Sequence, residues 1–345
     1  MGGHGREARV IVRNEDPLNC ETQISALMDR TVTPNELFYI RSHFAPPKID
    51  GSSWRLDVGG LVERPLQLSL EDLERLTAQV KTVTLECAGN GRAFLEPRVG
   101  GEQWALGAVG TAVWTGVQLA EILDRARPTA AARSVVFKGA DGAANQRAGA
   151  ASRFDRSLTL DEVRESEVLL AYLMNGEPLP TPHGYPLRAI VPGWYGVAAV
   201  KWLSEIEVID RPFSGHFQTE RYVFESEPVR HQRLRALITH PGAGDEVERG
   251  ALSVRGFAWS GVAPIARVEV SVDEGEWQAA ALSGLASNHS WQPWEAMVQI
   301  DSPGPVRIRA RATDQGGRAQ PERPAWNPLG YGNNAVHEVA FRAGG

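Results

Sequence analysis

In the stretch Thr82-Val-Thr-Leu-Glu-Cys-Ala-Gly-Asn-Gly-Arg92, an apolar, strand-prone run delivers one thiol into a turn of small residues. Cys87 therefore sits at a strand end, with the cation Arg92 five residues on. A nearby positive charge favours the thiolate, the form that binds metal or attacks an electrophile. The alternative is a buried inert cysteine, packed as a small hydrophobe. The only other cysteine, Cys20, has no His or Cys partner at metal-ligand spacing and reads as a bystander.

Two further stretches gather cations. Leu37-Phe-Tyr-Ile-Arg-Ser-His-Phe-Ala-Pro-Pro47 is expected to be a strand, which would place Tyr39, Arg41 and His43 on one face. Such a face suits a phosphate or another anion, or is simply a solvated strand face. Between Pro182 and Trp202, His183, Arg188 and Lys201 lie in otherwise apolar sequence broken by prolines and glycines. Burying them without an anionic partner is costly, so the segment points to a bound anion or to ion pairs with Glu205 or Glu207. Asp141 follows the strand beginning at Ser134 and reads as a turn residue, while Trp104 is either core or a pocket wall.

These segments need a scaffold, and 345 residues predict two domains. Residues 1–30 are polar and are expected to form an irregular arm draped over a domain of residues 31–227. Ser69 with Asp72, and Thr159 with Glu162, are capping boxes that start short helices, and Leu119, Ile122 and Leu123 mark another. From residue 228 to 345, short strands are expected at Leu252–Trp259, Ala266–Val272, Trp277–Leu282, Trp291–Ile300 and Pro305–Thr313, the pattern of a β-sandwich. In Val306-Arg-Ile-Arg-Ala-Arg-Ala312 the apolar residues face in and Arg307, Arg309 and Arg311 face solvent or an interface. The expected fold class is α+β.

A net charge of -6 argues against nucleic acid as a partner, and two cysteines cannot build a disulfide framework. No run approaches membrane-span length, and none near the N-terminus is a signal peptide's. The expected location is the cytoplasm, or the periplasm if a leader was removed.

Thr84-Leu-Glu-Cys-Ala-Gly-Asn-Gly-Arg92, His183-Gly-Tyr-Pro-Leu-Arg-Ala-Ile-Val-Pro-Gly193 with Val200-Lys-Trp202, and Trp326-Asn-Pro-Leu-Gly-Tyr-Gly-Asn-Asn334 with His337 together resemble the sulfite oxidase family of molybdenum enzymes. The likeness runs from about Phe38 to the C-terminus. It implies a mixed α/β molybdopterin domain followed by an immunoglobulin-like domain through which two chains form a homodimer. It also implies a molybdenum–molybdopterin cofactor with one pterin dithiolene, and Cys87 as the protein's sulfur ligand. By the same resemblance Tyr39, Arg41, His43, Asp141, His183, Arg188, Ala199, Val200 and Lys201 would contact the pterin and its phosphate. Arg41, Arg92, Trp104 and Tyr222 would line the substrate pocket, and Tyr222 would donate a hydrogen bond there.

The reaction so implied is oxidation of sulfite to sulfate, with arginines gathering the dianion. Two departures bear on it: Gly91-Arg92 stands where the family often has consecutive arginines, and Leu329 where sulfite-oxidising members often have another. Losing one charge-assisted bond weakens dianion binding by about 1–3 kcal/mol. Nitrate, a sulfoxide or a sulfane sulfur are the alternative substrates within the family. With no haem-attachment motif and too few cysteines for an iron–sulfur cluster, the electron acceptor is expected to be external, such as a cytochrome c. Outside this class, Cys87 with His43 or His183 could form a thiol hydrolase, and the sandwich could serve adhesion.

Overall fold

The computed structural model describes residues 9–142 and 153–344. Strands dominate and helices are brief, giving a mixed, sheet-rich fold. The capping boxes form as expected: Ser69 and Asp72 exchange hydrogen bonds ahead of Leu70–Glu74, and Thr159 and Glu162 ahead of Leu160–Glu165. The third helix, Leu119–Ala126, buries Leu119, Ile122 and Leu123 on one face.

In the first half an antiparallel sheet is built on Gln79–Glu86, Val109–Gln118 and Leu169–Met174, with Arg188–Ile190 and Glu177–Pro178 added to the last. A second sheet runs Leu66–Leu68, Leu56–Gly60, Leu203–Ile209, Ser134–Gly142, Arg153–Thr159, parallel only between Leu56–Gly60 and Leu203–Ile209. One core, including Leu56, Phe137, Val117, Leu170 and Ala189, joins the two sheets. On the other face of the first sheet, Val83, Leu85, Trp104 and Trp114 pack with Phe38 and Tyr39.

In the second half, Arg235–His240, Gly250–Trp259, Gln292–Ile300 and Ala281–Leu282 form one sheet. Glu246–Val247, His337–Ala343, Gly304–Asp314, Ile265–Val272 and Gln278–Ala279 form the other, and a single apolar core draws on both. The expected alternation holds in Gly304–Asp314, where Val306, Ile308, Ala310 and Ala312 are buried and the arginines lie outside that core. The expected strand Trp277–Leu282 is divided, because the chain crosses there from one sheet to the other.

Four expectations need correction. The N-terminal segment is not irregular: Val10–Glu15 pairs with Leu18–Thr22, and Leu27 is fully buried beside Phe257, Trp259 and Trp291. Leu37–Pro47 is not a strand; only Ile40 bridges, to Cys20. Its backbone is satisfied elsewhere, with Leu37 and Phe38 N–H donating to Pro34 O and Ser42 N–H to Asn19 Oδ1. The stretch between Trp104 and Leu119, assigned no element from the sequence, holds the ten-residue strand Val109–Gln118. Its apolar pattern is interrupted by Gly110, where a Cβ would come within 2.8 Å of the Phe38 ring. Asp141 lies within the strand Ser134–Gly142, buried, not in an exposed turn.

Candidate active site

Pleating sends alternate residues of Gln79–Glu86 to opposite faces. Val83, Leu85 and the following Cys87 turn into the aromatic cluster of the first half. Thr84 and Glu86 turn towards the second half, where the Glu86 carboxylate accepts from Trp259 Nε1 at 2.9 Å and Asn90 Nδ2 at 3.0 Å and faces Arg235 at 3.6 Å. Cys87 N–H donates to Ala108 O, and Asn90 N–H closes the turn onto Cys87 O. Gly89 is required by Arg92: a Cβ there would lie 2.5 Å from the guanidinium.

Two cavities meet at this loop. The larger, about 60 Å³, is lined by Tyr39, Arg41, His43, Cys87, Asp141, His183, Arg188, Ala199, Lys201 and Tyr222. The smaller, about 30 Å³, is lined by Arg41, Cys87, Arg92, Glu102, Trp104, Arg221, Tyr222, Leu329 and Tyr331, with Gly100 and Gly101. Arg41, Cys87 and Tyr222 belong to both, so the thiol stands at their junction. Of the residues picked out in the sequence, all but one border a cavity. Val200 alone packs into the core between the sheets.

Among the described residues, the cations of the larger cavity form no ion pair within it, and Asp141 is the one carboxyl group on its wall. Arg188 donates to His183 O at 2.8 Å and Ala199 O at 3.2 Å, and its buried Nε has no partner. Lys201 Nζ donates to Ser42 Oγ and Pro182 O. The ion pairs once open to these groups go elsewhere, since Glu205 and Glu207 both bind Lys138 and Glu205 also binds Arg153. Burial pushes Arg188 down to about 10, and burial with the adjacent Arg188 charge pushes Lys201 well below its ordinary value. His183 falls to about 3, by burial first and then by the Arg188 and Lys201 charges. Asp141 is raised to about 7 by burial, partly offset by Lys201, and its Oδ1 is unpartnered. Each shift opposes the charged form, as expected of a site built for a group that brings negative charge and acceptors.

Around the junction, His43 Nε2 lies 2.7 Å from Tyr222 Oη and 3.1 Å from Arg41 Nη2. Burial and the Arg41 charge hold His43 neutral, at about 2, and burial raises the Tyr222 phenol, which stays protonated. Arg92 donates to Glu102 O at 2.8 Å and Leu329 O at 3.1 Å, and its buried Nε is unpartnered. Trp104 is fully buried and also walls the smaller cavity.

The expected lowering of the Cys87 thiol is overturned. Burial raises it, and the Arg41 and Arg92 charges only partly offset that. A coordinating metal ion deprotonates such a thiol outright. A thiol hydrolase fits poorly: His43 is engaged by Arg41 and Tyr222, and His183 by Asn35 O.

Sequence reasoning missed Ser42, Glu86 and Asn90. Tyr331 stood unassigned inside the Trp326–Asn334 motif. Alternation along Thr82–Glu86 was the available signal for Glu86; nothing local singles out Ser42.

This arrangement suits a protein that holds an anionic group beside a thiol, with a second small arginine-lined cavity adjoining. Sequence comparison supports it: the oxidoreductase molybdopterin binding domain matches residues 43–217, and the Mo-co oxidoreductase dimerisation domain residues 228–343. Mitochondrial sulfite oxidase of Homo sapiens is 35% identical, over 97% of this chain and 66% of its own length. NAD(P)H nitrate reductase of Hordeum vulgare is 34% identical over 96% of this chain and 42% of its own. The crystal structure of the sulfane dehydrogenase SoxCD from Paracoccus pantotrophus superposes with a TM-score of 0.84 at 27% identity, covering 98% of this chain and 90% of that one. The chain belongs to the sulfite oxidase family of molybdopterin-dependent oxidoreductases.

The residues present fit that family's cofactor. Buried unpartnered atoms of Arg188 and Asp141 face a cavity edged by Lys201 and His183, and a single thiol opens onto it. Among the described residues no group of three or more His, Cys, Asp or Glu could hold a metal ion. No described helix is long and apolar enough to cross a membrane.

Proposed function

We propose that the protein oxidises sulfite to sulfate, using molybdenum carried by molybdopterin and passing electrons to an external acceptor such as a cytochrome c. The observation that carries this reading is the junction itself: a cation-rich cavity suited to a phosphorylated pterin meets a small arginine-lined cavity at Cys87, Arg41 and Tyr222. When bound, the molybdenum centre supplies oxygen-atom transfer and two-electron chemistry. Cys87 would be its protein ligand. Arg188, Lys201, His183 and Asp141 would hold the pterin and its phosphate, with Tyr39, His43 and the Ala199 backbone completing the wall.

In the smaller cavity, Arg41 and Arg92 draw in the anion and neutralise its charge. The Tyr222 phenol, beside His43, holds its proton and offers a hydrogen bond to an oxygen at the junction. Trp104 and Leu329 exclude water from the other sides. Residues 228–345 would form an immunoglobulin-like domain, apart from residues 31–227, and pair two chains as a homodimer.

A second reading is favoured by Leu329, an apolar residue on the smaller cavity where sulfite-oxidising members often have an arginine, and by the likeness to a sulfane dehydrogenase. It takes a less charged sulfur compound as substrate. The test is metal analysis with steady-state assays. About one molybdenum per chain, and sulfite-dependent reduction of cytochrome c or ferricyanide, are expected. The Cys87→Ala variant should lose that activity to background while keeping its fold by circular dichroism. Turnover of a sulfane or sulfoxide substrate with none of sulfite would replace sulfite by the second reading.

A further inference from the structure

The smaller cavity is closed on one side by Tyr331, a residue with no role in the reading above. Its ring is buried and stacks on Tyr222, with centroids 5.1 Å apart and planes 19° from parallel. The Arg92 guanidinium lies over the same ring at 5.2 Å. Its hydroxyl donates to Arg221 O at 2.8 Å. The backbone is pinned as well: Asn327 bonds both Tyr331 N–H and Tyr331 O, and Gly332 N–H donates to Ala88 O, tying this loop to the Cys87 turn.

On its far side, Tyr331 borders an open groove of about 300 Å³ that also includes Phe224, Arg230 and Arg233. One aromatic ring thus separates a pocket with room for two or three water molecules, at about 10–15 Å³ each, from a groove ten times larger.

We propose that Tyr331 is the specificity-determining wall of the anion pocket: it sets the size limit on the substrate and holds the Arg92 guanidinium in place by stacking. The pocket then takes small oxyanions and rejects sulfur oxyacids that carry a bulky organic group, because the volume they need lies behind the ring. A cation held over an aromatic face in a desolvated setting is attracted by the ring's negative face. Removing the ring therefore weakens the grip on any small anion by about tenfold. Removing the hydroxyl alone leaves both the partition and the stack.

This inference rests on the smaller cavity being the substrate pocket, and the experiment separates the two. Calorimetric titration of molybdenum-loaded protein uses sulfate, methanesulfonate and benzenesulfonate, the last two having the same charged head but different bulk. Wild-type protein is expected to bind sulfate and methanesulfonate and to reject benzenesulfonate. In Tyr331→Ala, sulfate and methanesulfonate weaken about tenfold and benzenesulfonate binds, so the preference for the smaller sulfonate collapses. Tyr331→Phe should keep the wild-type preference, and Tyr331→Leu, which preserves bulk for folding, should weaken sulfate without the full opening. An unchanged preference in folded Tyr331→Ala overturns the role of the ring. Wild-type protein that binds no sulfate overturns the assignment of the pocket, and the proposal with it.

Discussion

Two parts of the molecule are rich in basic side chains, and they could hardly be built more differently. On Gly304–Asp314, Arg309 pairs with Glu322, Arg311 reaches Glu269 at 3.0 Å, and both guanidinium groups lie over the Trp277 ring. Arg307 is exposed. Those charges keep water or carboxylates for company, and the strand buries its other face. Around the larger cavity, Arg188, Lys201 and His183 hydrogen-bond only to carbonyl and hydroxyl groups, the one nearby carboxyl, Asp141, is pushed towards its neutral form by burial, and Arg188 is nine-tenths or more out of water. Charge alone therefore says little about function. Buried charge whose counter-charge the protein does not supply says a great deal, because folding bears that cost only where a ligand repays it.

The contrast is sharpest at Arg188. Arg188→Leu removes an unpaired buried cation, so protein produced without molybdate should become more stable, by about 1–4 kcal/mol. The same change should weaken retention of the pterin by roughly 100-fold, the scale of one or two charge-assisted bonds. Thermal unfolding of molybdate-starved protein, with molybdenum content of the loaded protein, reads the two effects, which must run in opposite directions. If Arg188→Leu destabilises both forms alike, Arg188 is structural and the comparison fails.

Asp141 gives an effect with a pH signature. Its folded-state value of about 7 exceeds the ordinary 3.8, so between those values the folded chain holds a proton that the unfolded chain releases. This contribution is complete below about pH 4, is lost as the pH rises to about 7, and is flat beyond. Asp141→Asn removes the dependence. In molybdate-starved protein, wild type and variant should match near pH 4 and diverge by roughly 4 kcal/mol at pH 8, with the variant the more stable. His43 and His183, both depressed by burial, lose stability as the pH falls below about 6.5 in either protein, so they cancel from the difference. Denaturant melts across pH 4–8 check this, and parallel curves would mean that Asp141 ionises freely.

How far the sequence foretold these features follows from the same distinction. Cys87, Arg188 and Lys201 stood out as reactive or cationic side chains in apolar surroundings, and the capping boxes and the Val306–Ala312 alternation are local codes. Leu37–Pro47 misled because its alternation imitates a strand, whereas its hydrogen bonds are made to Asn19 and Pro34, contacts no local pattern reports. Val109–Gln118 was masked by glycines that serve tertiary contacts. Glu86 and Tyr331 were missed for a similar reason. Each owes its setting to residues more than a hundred positions away, Arg235 and Trp259 for the first, Arg92, Arg221 and Tyr222 for the second. Leu329 was legible as a departure from a motif, but that its carbonyl anchors Arg92 was not.

The smallest expected effect lies on the other side of the comparison. Arg311 is part-exposed, and its partner Glu269 also faces Arg267 at 3.4 Å, so losing Arg311 leaves that carboxylate with water and a second cation. The pair holds Glu269 below its ordinary value, led by the Arg311 hydrogen bond. Solvent screening keeps the worth of such pairs within about 1 kcal/mol, and the stack on Trp277 adds at most a similar amount. Arg311→Ala should therefore shift stability by about 1 kcal/mol, less at high salt, and leave molybdenum content and turnover unchanged. Denaturant melts at low and high ionic strength measure the first, and metal analysis with steady-state assay the second. A loss of molybdenum comparable to that in Arg188→Leu would show that the outer arginine row reaches the site after all, and would erase the difference between the two basic regions.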